Sequence, residues 1–103
     1  MNEHFRQGDV LLVRVDSLPK GAKADAPSDS IVLAYGETTG HAHRIPGLDA
    51  VMYALNNEDN FLEIKQPTAL THEEHDPIAL APGFYRVVRQ REYTPERIRR
   101  VSD

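Results

Sequence analysis

The apolar runs of this chain are cut short so often that few folds remain open to it. Turn signals fall at Gly8-Asp9, Ser17-Leu18-Pro19-Lys20-Gly21, Gly36 to Gly40, Pro46-Gly47 and Pro82-Gly83. No stretch between them sustains a 3.6-residue apolar period. What lies between are short runs rich in β-branched and aromatic residues: Val10 to Val15, Ile31 to Tyr35, Ala50 to Leu55, Phe61 to Lys65 and Phe84 to Tyr93. Such runs form strands. His41 to Ile45 alternates after the Gly36–Gly40 turn and reads as the returning arm of a hairpin that begins at Ile31. The expected fold is all-β, a small barrel or sandwich of about six short strands, because each sheet must bury one face against another.

Residues 22–30 are small and polar, a surface loop. Thr94-Pro95-Glu96-Arg97 carries a helix start with proline at the first position, so residues 1–93 are expected to form a single β domain and 94–103 a short C-terminal helix or tail. With 103 residues, 40% of them hydrophobic, there is material for one modest core and not for two. No apolar run, Val10 to Val13 included, is nearly long enough to cross a bilayer, and the N-terminus is polar. The expectation is a cytoplasmic protein without membrane contact.

The chemistry concentrates in histidine. His41-Ala42-His43 follows the glycine turn, and His72-Glu73-Glu74-His75 comes about thirty residues later with Asp76 beside it. In a strand, His41 and His43 project to one face with Cα atoms roughly 7 Å apart, close enough for two imidazoles to converge on one ion. The second cluster admits two geometries. Thr71 to Glu74 fits a capping box, and in a helical turn His72 and His75 share a face. In an extended chain His72 faces the same way as Glu74, and Glu73 the same way as His75.

The chain has no cysteine, which removes disulfides, thiolate catalysis and the common structural zinc patterns. A metal would be held by nitrogen and oxygen alone. That donor set suits a divalent transition metal such as zinc, iron, nickel or copper, and suits calcium and magnesium poorly. The expected ligands are His41, His43 and His75, with His72 or Glu74 as the fourth. An open fourth position would make the centre catalytic in form, with Glu73 or Glu74 as proton acceptor, and a filled one structural. The competing reading is that these are exposed polar side chains beside turns, with the capping box accounting for the second cluster.

The His-x-His pair after a glycine turn resembles the cupin metal motif, which implies a β-barrel. The glutamate that motif places three to four residues on is absent, since Gly47 and Leu48 stand there. Pro82-Gly83 follow His75, where the second cupin motif sets them before its histidine. The resemblance therefore covers His41 and His43, with some support from His75. Over Gly36 to Arg44 and Pro82 to Tyr93 the chain resembles a family of small uncharacterised bacterial proteins, which implies no activity.

Charge supplies the alternative function. The net charge is -4, yet residues 86–103 carry six basic and three acidic side chains against six and thirteen in the rest. Overall acidity argues against general nucleic-acid binding. Arg89 and Arg91, sharing a strand face with Tyr85 and Tyr93, could serve a non-enzymatic module that binds an anion or a protein partner. The competing role is pairing with the acidic body. A small-molecule ligand and a homo-oligomer are both compatible with the sequence. Nucleophilic catalysis has little support, because Ser17, Ser28, Ser30 and Ser102 lie in loops or the tail.

Overall fold

The computed structural model describes residues 3–35, 40–55 and 59–89. Ten strands are formed among them: β1 (His4–Gln7), β2 (Val10–Val15), β3 (Lys23–Ala24), β4 (Ser30–Tyr35), β5 (Ala42–Pro46), β6 (Ala50–Leu55), β7 (Asp59–Ile64), β8 (Thr68–His72), β9 (His75–Leu80) and β10 (Gly83–Arg89). They make two antiparallel sheets, one ordered β1-β2-β10-β7-β6-β3 and the other β4-β5-β8-β9. Alternation sets the inner faces. Val10 and Leu12 of β2, Leu62 and Ile64 of β7, and Tyr85 and Val87 of β10 point inward from the first sheet. Leu33, Ile45, Leu70 and Leu80 meet them from the second.

The expected β class and the Ile31-to-Ile45 hairpin are observed, since β4 pairs with β5. Several expectations need correcting. No closed barrel forms: β1 and β9 lie side by side but share no ladder pairing among the described residues, and a Gln7 side chain spans them instead. Each sheet therefore keeps two edges. His4–Gln7, too polar to read as a strand, is β1, held by its register with β2. The surface loop at 22–30 contains β3, whose two residues pair with β6.

The helical turn at Thr71 to Glu74 does not form. Thr71 pairs with Arg44 and His72 with His75, so the segment closes the β8–β9 hairpin. A single helical turn fixes several residues for one hydrogen bond, whereas the ladder satisfies the same backbone at once. The helix expected at 94–103 lies outside the described residues. No helix among the described residues is long and apolar enough to cross a membrane.

Two bulges in the second sheet draw polar side chains across from the first. On β4, Val32 opposes Arg44 and Ala34 opposes His43, which leaves Leu33 as the extra residue. Its carbonyl accepts from Arg89 Nε of β10, and Arg89 Nη1 reaches Asn60 Oδ1 at 2.8 Å. On β9, three steps from Ile78 to His75 oppose two from Leu70 to His72. Pro77, which has no N–H to give a ladder, sits in that irregularity. Asp76 O accepts from Gln7 Nε2 of β1 at 2.9 Å. Each irregularity is thus capped by a long polar side chain from the facing sheet.

Candidate metal centre

The two hairpins of the second sheet carry the four histidines to one place. β5 brings His43, while His41 sits one residue ahead of the strand and not within it as expected, and the tip of β8–β9 brings His72 and His75. His72 sits among the others. Its ring centroid lies 5.7 Å from that of His41, 4.4 Å from that of His43 and 4.6 Å from that of His75, and His43 and His75 stack at 5.7 Å. Imidazoles bound to one tetrahedral ion at about 2.0–2.1 Å per nitrogen place their centroids roughly 5 Å apart. Ligand atoms of His41, His72 and Glu73 lie within 4.8 Å of one another.

Burial grades across the cluster. His43 is 3% exposed, His41 and His72 are half-buried, and His75 faces solvent. His41 Nδ1 is buried without a hydrogen bond, and Glu74 Oε2 stands 3.6 Å from it, beyond hydrogen-bonding reach. A buried polar nitrogen left in that condition is costly and calls for a partner.

His43 is anchored differently. Its Nδ1 lies 2.8 Å from Gln7 Oε1, while Gln7 Nε2 donates to Leu70 O at 3.0 Å and to Asp76 O. Gln7 is itself buried. His72 Nδ1 accepts from the Glu74 N–H at 3.0 Å, so the neutral ring carries its proton on Nε2.

Both oxygens of Glu73 accept hydrogen bonds within the fold. Oε1 accepts from the Ala42 N–H at 2.9 Å and Oε2 from Arg44 Nη1 at 2.8 Å, tying the tip of the second hairpin to β5. The backbone N–H of Ala42, then Glu73's own N–H, then the Arg44 guanidinium lower its carboxyl to about 2. Both adjacent glutamates approach the unpartnered imidazole: Glu74 Oε2 stands 3.6 Å from His41 Nδ1, and a Glu73 oxygen lies within 4.8 Å of ligand atoms of His41 and His72.

Gly8 closes the inner side of the cluster. It lies in the two-residue turn between β1 and β2 with φ +57°. A Cβ there would lie 2.8 Å from His75 Nε2 and 3.3 Å from His43 Cε1. The turn thus needs glycine for its backbone and the imidazoles need it for their space.

The structure therefore gathers His41, His43, His72 and His75, with Glu74 at the rim. Sequence reasoning missed Gln7, Gly8 and Arg44. Gly8 was legible as a turn residue, but nothing in a lone glutamine announces a histidine partner 36 residues away.

The alternative arginine site is placed elsewhere. Arg89 reaches inward to Leu33 O and Asn60, Arg86 pairs with Asp59 at 3.3 Å, and Tyr85 is fully buried. Arg91 and Tyr93 lie outside the described residues. Arg89 also borders a cavity of about 700 Å³ lined by Ile31, Val32, Val51, Met52 and Lys65, which shares no residue with the histidine cluster.

No curated protein and no solved structure matches the chain. A family model described as a domain of unknown function matches residues 6–90, a span that includes Gln7, Gly8 and all four clustered histidines. The chain belongs to that family, DUF8820.

Proposed function

We propose that this domain binds one divalent transition metal through the imidazoles of His41, His43, His72 and His75. The observation that carries this reading is the convergence of four rings from two hairpins about thirty residues apart, with His41 Nδ1 buried and unpartnered among them. Nitrogen donors without sulfur favour zinc, iron(II) or nickel. Each oxygen of Glu73 already accepts one hydrogen bond, from Ala42 and Arg44, so Glu74 is the less committed carboxylate to act as a further ligand or as a proton acceptor, although Glu73 also lies within ligand distance of His41 and His72. When bound beside exposed His75, the metal supplies Lewis acidity on the solvent side of the cluster.

Elemental analysis of protein purified without a histidine tag, before and after loading with zinc, iron(II) or nickel, tests the reading. About one equivalent of metal, lost in the double variant His41→Ala/His43→Ala, is expected for a site built from these ligands. Fewer than about a tenth of an equivalent after loading with each metal would overturn it.

A further inference from the structure

The Gln7 side chain leaves one face of the domain and ends against the other, an unusual reach for a buried amide. Its Nε2 meets two backbone carbonyls, Leu70 O at 3.0 Å and Asp76 O at 2.9 Å. Carbonyls only accept, so the amide cannot be turned round without setting its oxygen against both of them. Oε1 is thereby directed to His43 Nδ1 at 2.8 Å, and an amide oxygen can only accept. The proton between them therefore sits on Nδ1, and in the neutral ring the lone pair is on Nε2.

We propose that Gln7 is the positioning residue of the histidine centre: clamped by two carbonyls of the second hairpin, it fixes His43 as the Nδ1–H tautomer and so commits Nε2 to the metal. The role rests on the metal-binding reading above. Three features support it together. Gln7 is 3% exposed, so the bond is shielded from competing water. The carbonyl of Asp76 belongs to the β9 irregularity, next to ligand His75, so one side chain sets both hairpins relative to each other. Gly8, the next residue, supplies the gap into which His43 Cε1 and His75 Nε2 fit. Metal-binding histidines commonly donate their second N–H to such an acceptor, which fixes ring orientation.

The test uses the full chain labelled with nitrogen-15. Long-range proton–nitrogen correlation spectra of the metal-free protein, at a pH where the imidazoles are neutral, report which His43 nitrogen holds the proton. Protonated Nδ1 is expected, and protonated Nε2 would overturn the inference whether or not metal binds. Zinc titration then compares the wild type with Gln7→Met, which removes the acceptor. Gln7→Met should weaken zinc binding about 10–100-fold and lose the fixed tautomer. If Gln7→Met binds zinc with wild-type affinity, Gln7 has no positioning role although the metal centre stands. If wild-type protein binds no metal, the centre fails while the tautomer spectrum still decides what Gln7 does to His43.

Discussion

The two halves of the histidine cluster are built on different principles. His43 belongs to a strand that is paired on both sides, with His41 just ahead of its first residue, and His43 is buried and held from behind by a side chain of the opposite sheet. His72 and His75 face each other across a two-residue turn at a hairpin tip, with His75 in solvent. That tip is held to β5 by Glu73, through the Ala42 N–H and Arg44. The first half is positioned by sheet and core, the second by an exposed carboxylate. Their imidazoles also differ in protonation: His43 carries its proton on Nδ1, while His72 Nδ1 is occupied by the Glu74 N–H. An ion that takes His72 through Nδ1 would have to displace that amide.

The sharpest way to break the comparison is to remove each half in turn. For the proposed shared ion, His41→Ala/His43→Ala and His72→Ala/His75→Ala should each weaken zinc binding more than about 100-fold in calorimetry. Tight binding retained by either double variant would mean that the halves do not share a centre. A second test compares the capping of the two bulges. Arg89→Met strips the acceptor at Leu33 O of its partner and should cost about 1–3 kcal/mol in urea denaturation while zinc affinity stays put. If zinc binding falls with it, the bulge on β4 is coupled to the cluster and the first half is not set by its own strand alone.

Gly8→Ala probes the wall that both halves share. Its left-handed backbone should cost about 1–2 kcal/mol in stability, and the added methyl should displace His75 and weaken zinc binding about 10-fold. Calorimetry and denaturation at matched pH separate the two effects.

The gentlest change is expected from acid. Glu73 titrates lower in the folded protein, about 2 against an ordinary 4.5, so its contribution is complete above pH 4.5 and is lost as pH falls toward 2. Denaturation curves from pH 5 to 2 should show this loss in the wild type, damped by salt because the carboxylate is exposed. Glu73→Gln should flatten the curve over that window. An unchanged acid slope in the variant would remove Glu73 as the latch.

Legibility in the sequence followed the same division. The first histidine pair could be placed because glycine, alternation and β-branched neighbours all act within a few residues of it. The second pair was open to a helical reading, since Thr71 and Glu74 match a capping box and the Glu73-Glu74 turn carries none of the glycine or asparagine that marks a tight hairpin. What decided it was pairing with Arg44 and His75, a fact about neighbouring strands. β1 escaped notice for a related reason: His4 and Arg6 are exposed, and its inner face pairs Phe5 with a buried glutamine where alternation looks for an apolar side chain.

From the residues alone came the all-β class, the β4–β5 hairpin and the two histidine pairs as candidates, all consequences of local periodicity, turn chemistry and composition. The tertiary structure decided that the sheets stay open, that the two pairs share one location, and that Gln7 stands behind His43. These depend on contacts between residues 29 to 69 positions apart, where burial and hydrogen-bond satisfaction across the whole fold choose the partner and no short pattern records the choice.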